Sequence, residues 1–349
     1  MEKVWVLNFE DYSKVQNVLK EFLLENFSEE FKLGMKVLVK PNLISPRPPE
    51  EAVTTHPSIL RATLEFLLDL GTKPFVGDSP AFSSFQTVAK VTGVEEVCRR
   101  LGVEFGPLDD PVVVNGELFR GIKVSKRVLE SDAVVNLPKL KTHSQMVLTL
   151  GVKNTFGCVV GLEKSAWHMR TKDYDDFANF LIDVHRLVSP KLTILDGIEG
   201  MDGNGPTNGR KRFFGVLVVS RNAFALDEVV CKMVGLNPDY VYTVKHARRR
   251  NLVPTYEVIA DRFPTFDIEL PNTVSPLAKL SRIFAPVFVR VPKIDKGKCV
   301  KCGLCEARCP ASAIDLHLQR IDYNKCIRCY VCHEVCPHGA ILLVRKLFR

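Results

Sequence analysis

Apolar residues in the first 270 positions recur with two alternating periods. Short apolar runs at Val4–Phe9, Met35–Lys40, Pro74–Gly77, Ala133–Leu137, Leu192–Leu195 and Phe213–Val219 read as strands. Between them, helical spacing fits residues 12–27, 56–70, 84–101, 173–187 and 223–234. His56-Pro57 puts proline in a first helical turn, and Gly71 falls just past the end. Val112–Val114, Asn115-Gly116 and Glu117–Val124 predict a hairpin closed by a tight turn. Strands alternating with helices predict an α/β domain over residues 1–270, possessing a mostly parallel sheet and room for two lobes.

The pattern changes after residue 270. Residues 271–294 hold four prolines and an apolar stretch from Leu277 to Val291, so 271–291 read as a linker or docking segment. Lys279, Arg282 and Arg290 interleave that stretch and would also suit peripheral contact with a membrane surface. Pro286 would interrupt a helix there. Residues 292–349 read as a separate small domain.

Several expected strands end in polar motifs. In parallel α/β sheets, ligands collect beyond the carboxyl ends of the strands. Lys40-Pro41-Asn42 follows one strand, Asp78-Ser79-Pro80 a second, Lys139, Lys141 and His143 a third, and Asp196 a fourth. Residues 136–170 are densest, adding Lys153, Asn154, Lys164, His168 and Arg170 with Glu163 as the lone acid. That stretch is a candidate cradle for an anionic small molecule. Crowded lysines also depress one another's pKa, which suits a general base or a Schiff-base amine. The histidines suit acid/base work or metal ligation. The loop from Asp196 to Arg212 holds Glu199, Asp202, Gly203, Gly205 and Gly209. It lacks the Gly-Lys-Ser/Thr of a phosphate-binding P-loop and is one residue too long for the dinucleotide fingerprint. Lys141, His143 and Asp196 are the candidate catalytic residues. Lys40, Asn42, Asp78, Ser79, Lys139, Lys153, Asn154, Lys164, Gly203 and Gly205 are the candidate ligand-binding residues.

Composition is that of a globular protein, with 46% hydrophobic and 25% charged residues. The first residues lack the features of a signal peptide, and no apolar run reaches the roughly 18 residues of a membrane span. A cytoplasmic setting is expected. The charge is uneven: residues 276–349 hold 14 Lys/Arg against 5 Asp/Glu, while the rest hold 34 against 35. A basic end steers toward acidic partners or anionic surfaces, or offsets negative charge bound within it. No nucleic-acid motif accompanies it, so nucleic acid is not expected as a partner.

The cysteines change the picture most. Cys299, Cys302, Cys305 and Cys309 precede Pro310, and Cys326, Cys329, Cys332 and Cys336 precede Pro337. The second set repeats the first at an offset of 27 residues, as do Asp295/Asp322, Lys298/Lys325, Ala313/Ala340 and Ile314/Ile341. Both copies resemble the run of bacterial two-cluster ferredoxins, a small α+β fold in which the fourth cysteine ligates the other cluster. The resemblance implies two 4Fe–4S clusters. Cys299, Cys302, Cys305 and Cys336 would hold one, and Cys326, Cys329, Cys332 and Cys309 the other. It also implies a redox partner protein.

Further motifs resemble the domain-of-unknown-function-362 family that carries a C-terminal ferredoxin. These are Lys40-Pro41-Asn42, Thr55-His56-Pro57, Gly77-Asp78-Ser79-Pro80, Asn136–His143, Lys153-Asn154, Phe156-Gly157 and Asp196–Gly209. That family implies an iron–sulfur protein and names no substrate. The order His143, Gly161-x2-Lys164, His168 also looks like the central motif of nickel-pincer lactate racemases, although paired glycines before the lysine and a proline before His143 are absent. Three functions follow as expectations. The first is an oxidoreductase in which the clusters exchange electrons with a ligand in the α/β domain. The second is a non-catalytic carrier with a docking domain. The third is a racemase-like isomerase with a metal cofactor in the large domain.

Overall fold

The computed structural model describes residues 1–80, 83–161, 163–274 and 290–345. Most of the linker expected at 271–291 therefore lies outside the described residues. The chain is α/β: a large domain on a mostly parallel sheet, then a small ferredoxin-like domain of short antiparallel strands.

The strands of the large domain are β1 (Glu2–Asn8), β2 (Lys36–Pro41), β3 (Lys73–Asp78), β4 (Glu104–Pro107), β5 (Pro111–Val114), β6 (Ile122–Ser125), β7 (Ala133–Leu137), β8 (Lys139–His143), β9 (Val147–Thr149), β10 (Leu192–Asp202), β11 (Arg210–Ser220) and β12 (Tyr256–Ala260). The main sheet runs β12-β1-β11-β10-β7-β2-β3-β4, with β8 beside β10 and β9 beside β8. β11 is antiparallel to both its neighbours, β1 and β10. The run from β10 through β7, β2 and β3 to β4 is parallel.

Alternation along each strand feeds core clusters on both faces of the sheet. Val37 and Val39 of β2 pack with the helices Val15–Phe27 and Pro57–Asp69, whereas Leu38 packs with Tyr174–Val188 on the opposite face. Leu217 and Val219 of β11 join the first core, and Val216 and Val218 pack against the helix Ala223–Met233. A period of two in strands between helices on both faces produces this three-layer arrangement.

Two local expectations differ from the structure. β5 and β6 pair as a hairpin, but residues 115–121 make a longer connection than the tight turn expected at Asn115-Gly116. The Asp183 carboxylate accepts the N–H groups of Leu118 and Phe119, and Phe119 packs edge-on against Trp167 and Phe180. Those tertiary contacts outweigh the local turn preference. The glycine-rich segment 196–212 is mostly strand, because β10 continues to Asp202 and β11 begins at Arg210. Buried Ile198, Met201 and Phe214 supply the core contacts that hold it extended.

In the small domain, β13 (Arg290–Ile294) pairs antiparallel with β16 (Ile341–Arg345), and β14 (Ile314–Asp315) with β15 (Arg320–Ile321). The helices Leu304–Ala307 and Val331–Val335 pack together. The second of these helices lies against the large domain. Thr207 Oγ1 donates to Glu334 O (2.9 Å), and Asn208 Nδ2 to His333 O (2.8 Å). Arg47 reaches Pro337 O (2.9 Å), and the Tyr174 hydroxyl reaches Arg328 O (3.0 Å).

Candidate functional site

Beyond the carboxyl ends of β2 and β3 lies a cavity of about 100 Å³. That is several times the ~10–15 Å³ one water needs. Lys40, Asn42, Asp78, Ser79, His143, Lys153, Asn154 and Lys164 line it together, as do Phe156, Gly157 and His168. Eight of the candidate catalytic and ligand-binding residues thus meet in one place.

Its floor is a buried ion pair. Lys40 Nζ lies 2.9 Å from Asp78 Oδ2 and donates to Pro41 O. Asp78 Oδ2 also accepts Leu43 N–H, and Oδ1 accepts Ser79 N–H. A Cβ on Gly157 would sit 2.2 Å from Asp78 Oδ1 and 2.5 Å from Lys40 Nζ, so only glycine permits this approach. Behind the pair runs a relay of amides. Lys141 Nζ donates to Asn42 Oδ1, Asn42 to Asn154, Asn154 to Asn136, and Asn136 to Gly151 O, each at 2.8–3.0 Å. Lys141 is buried in this second layer, its other partner being Val53 O (2.6 Å).

The opposite wall is less satisfied. His143 Nδ1 accepts N–H groups from Gln145 (3.0 Å) and Met146 (3.2 Å), which leaves the ring proton on Nε2. Nε2 lies 3.2 Å from Glu334 Oε1 without forming a hydrogen bond to it. Both atoms are buried without a hydrogen-bond partner among the described residues, as is His168 Nδ1. Burial, reinforced by Lys153, holds His143 well below its ordinary pKa and His168 at about 3. Burial pushes Glu334 up to about 7, against the pull of Lys153 and Lys141.

Lys153 Nζ forms no hydrogen bond or ion pair among the described residues. Its amine is lowered by burial, with Glu334 opposing and Lys40 adding to the effect. Lys164 donates to Ser79 O and is lowered to about 8 by burial, with Asp78 opposing. Among the described residues no three His, Cys, Asp or Glu side chains converge where a single metal ion would sit.

Lys139 and Asp196 do not reach this cavity. They form a second buried pair (2.7 Å) closed by the Tyr12 hydroxyl, which accepts from Lys139 (2.9 Å) and donates to Asp196 Oδ1 (2.9 Å). Tyr12 stacks on His56 at 3.6 Å, and His56 N–H donates to Asp196 Oδ2. Lys139, Lys141 and His143 share one face of β8, but the strand advances ~3.3 Å per residue, so they serve three successive places. Gly203 and Gly205 also stand apart from the cavity. Gly203 O accepts from Thr142 Oγ1 (2.8 Å), Gly205 O accepts from Ser144, and a Cβ on Gly205 would meet Thr142 O at 2.2 Å. Their loop braces β8 on one side and clasps the small domain on the other.

In the small domain, one cavity is lined by Cys326, Cys329 and Cys332 together with Cys309. Cys336, Cys299 and Cys302 stand near Cys305. None of the cysteines is in a disulfide. Ala313 N–H points to Cys309 Sγ and Ala340 N–H to Cys336 Sγ, both at 3.2 Å. Matched N–H···S contacts and a cradle of thiols suit an iron–sulfur cluster.

Sequence reading missed Glu334 and Val331, which complete the cavity from the small domain. At an offset of 27, Val331 faces Leu304, His333 faces Glu306, and Glu334 faces Ala307. No local signal marks them, because the repeat also departs at Gly303/Tyr330, Arg308/Val335 and Ala311/His338. Tyr12 was also missed, sitting far from every motif it joins.

Residues 37–232 match the family described as "domain of unknown function (DUF362)". The chain belongs to the DUF362 family. Residues 292–315 and 320–342 of this DUF362 protein match the 4Fe-4S binding domain, so its C-terminal region binds 4Fe–4S iron–sulfur. It is 36% identical over 273 residues to a thylakoid-associated protein of Synechocystis sp., covering 75% of this chain and 81% of that one. Among solved structures, the lactate racemase apoprotein of Thermoanaerobacterium thermosaccharolyticum is similar at 12% identity and a TM-score of 0.42, over 67% of this chain and 56% of that one. A structural-genomics protein of Thermotoga maritima is similar at 12% identity and a TM-score of 0.37, over 70% and 60%. The DUF362 chain thus spans less than two thirds of either solved chain. Among its described residues no helix is long and apolar enough to cross a membrane.

Proposed function

We propose that this protein transfers electrons between two 4Fe–4S clusters and a small anionic ligand held in the cavity of the α/β domain. Cys299, Cys302, Cys305 and Cys336 would hold one cluster, and Cys326, Cys329, Cys332 and Cys309 the other. When bound, such clusters accept and release single electrons. The observation that carries this reading is the shared wall: the helix bearing Cys332 contributes Val331 and Glu334 to the cavity. Lys40, Lys153 and Lys164 outnumber the carboxylates of Asp78 and Glu334 there, which favours an anion. His143 Nε2–H would orient the ligand and move its proton.

Cys302 is exposed and lies beside exposed Val300 and Lys301, so the first copy of the repeat is the edge a redox partner would meet. Eight cysteines spaced as cluster ligands favour a reducing, cytoplasmic compartment. The thylakoid association named for the Synechocystis relative, together with the basic end of this chain, supports peripheral contact with an anionic surface.

The test is anaerobic purification, iron counting and ligand-dependent reoxidation of the reduced clusters. About eight irons per chain are expected for two such clusters. His143→Ala should keep the iron and slow reoxidation by ~10²–10⁴-fold, the range for a lost acid–base group. Unchanged reoxidation would remove His143 from the mechanism. Reversible reduction with no ligand effect in the wild type would leave a simple electron carrier.

A further inference from the structure

The cavity lysines are not equivalent. Lys40 is tied to Asp78, Lys164 to Ser79 O, and Lys141, in the layer behind, to Asn42 and Val53 O. Lys153 alone of the four has no such tie among the described residues, and it lines the cavity. Its base is rigid. The short helix Gly151–Asn154 is anchored by Asp227, whose carboxylate accepts the N–H groups of Gly151 (2.7 Å) and Val152 (3.1 Å). Asn136 takes hold of Gly151 O, and Asn154 is gripped by Asn42 and Asn136. An untethered amine on a fixed base, in a site where burial disfavours its protonation with Lys40 adding and Glu334 opposing, is the arrangement of a nucleophilic lysine.

The facing wall supplies a complementary donor. With Nδ1 accepting two backbone N–H groups, His143 presents Nε2–H beside Glu334 on that wall, and Nε2 has no hydrogen-bond partner among the described residues. A carbonyl oxygen placed there would satisfy it. A carboxylate on the same molecule would meet the positive field of Lys40 and Lys164.

We propose that Lys153 condenses with the carbonyl carbon of a small 2-oxo acid to form an imine. The proposal rests on the ligand-site reading above and names its substrate class. The amine nitrogen adds to the carbonyl carbon, and the carbon–oxygen bond then breaks. The oxygen leaves as water carrying the two amine hydrogens, over a hydrogen bond from His143 Nε2–H. No electrons change hands in this step. The imine then withdraws electrons from the neighbouring carbon, which primes the bound acid for chemistry at that position.

The experiment uses the full chain, purified without oxygen with its iron in place. Pyruvate and glyoxylate are the probes, sodium cyanoborohydride reduces any imine to a stable secondary amine, and peptide mass spectrometry locates it. The expected result is an adduct on Lys153 at least tenfold above any other lysine, lost in Lys153→Arg with the cluster absorption unchanged. Because the adduct is mapped on the wild type, the result stands even where the variant folds poorly. Calorimetric titration with the same acids separates the two readings. Acids that bind without labelling Lys153 overturn the imine and leave the ligand site standing. Acids that neither bind nor label, or that label surface lysines at random, overturn the imine and remove 2-oxo acids as ligands of this cavity.

Discussion

Two buried lysine–aspartate pairs lie on the sheet of this protein, and they have opposite characters. Lys139–Asp196 is closed: Tyr12, His56 N–H and the lysine together satisfy the carboxylate, and aromatic rings cover it. Lys40–Asp78 is open: it floors a cavity whose far wall holds three unmet polar atoms. Identical chemistry is thus structural in one place and available in the other. Both carboxylates have their hydrogen bonds met, so what separates the pairs is whether unmet polar atoms face them across a cavity. A fully satisfied network rigidifies the fold, while unmet buried atoms are costly unless something binds to them.

Breaking the closed pair has the largest expected effect. Asp196→Ala strands the Lys139 ammonium and should cost about 3–5 kcal/mol, read by urea unfolding, with no loss of ligand binding in protein that remains folded. Loss of binding at unchanged stability would mean the closed centre belongs to the site.

The helix backing the open cavity supplies the next test. Burial raises Asp227 to about 7, only partly opposed by the N–H groups it accepts, and no charged neighbour contributes to the shift. Between the unfolded value of 3.8 and about 7, the folded state binds more protons than the unfolded one. Stability should therefore fall as pH rises through that window, by on the order of a few kcal/mol. Asp227→Asn should flatten this slope. A wild type and variant with parallel pH profiles would show that Asp227 does not titrate there.

The smallest change sharpens the contrast from the open side. Gly157→Ala forces a methyl into the Lys40–Asp78 pair and should cost about 1–3 kcal/mol, as overpacking does. It should weaken anion binding while leaving the Tyr12 centre intact. Equal stability and binding would mean the floor relaxes freely.

Much of this was legible in the chain. The strands and helices follow from period-two and helical spacing, and the cysteine repeat marks the iron–sulfur module by itself. Lys40, Asp78 and His143 drew notice because each ends an apolar run. Which strand ends would meet was not legible. That depends on β10 continuing past Asp196 and pairing with both β11 and β8, which carries Lys139 away from Lys40. Nor did local sequence reveal Glu334, whose role comes from the large domain packed against it. Asn115-Gly116 misled because Asp183, far along the chain, outbids the tight turn.

The helix Val331–Val335 carries one further consequence. It carries Cys332 and is followed directly by Cys336, and its Glu334 and Val331 close the chamber. On the ligation proposed above, metal loss and chamber collapse would be one event. A sample bleached by air would then score as unable to bind anything, and a screen for the ligand would belong in the glove box.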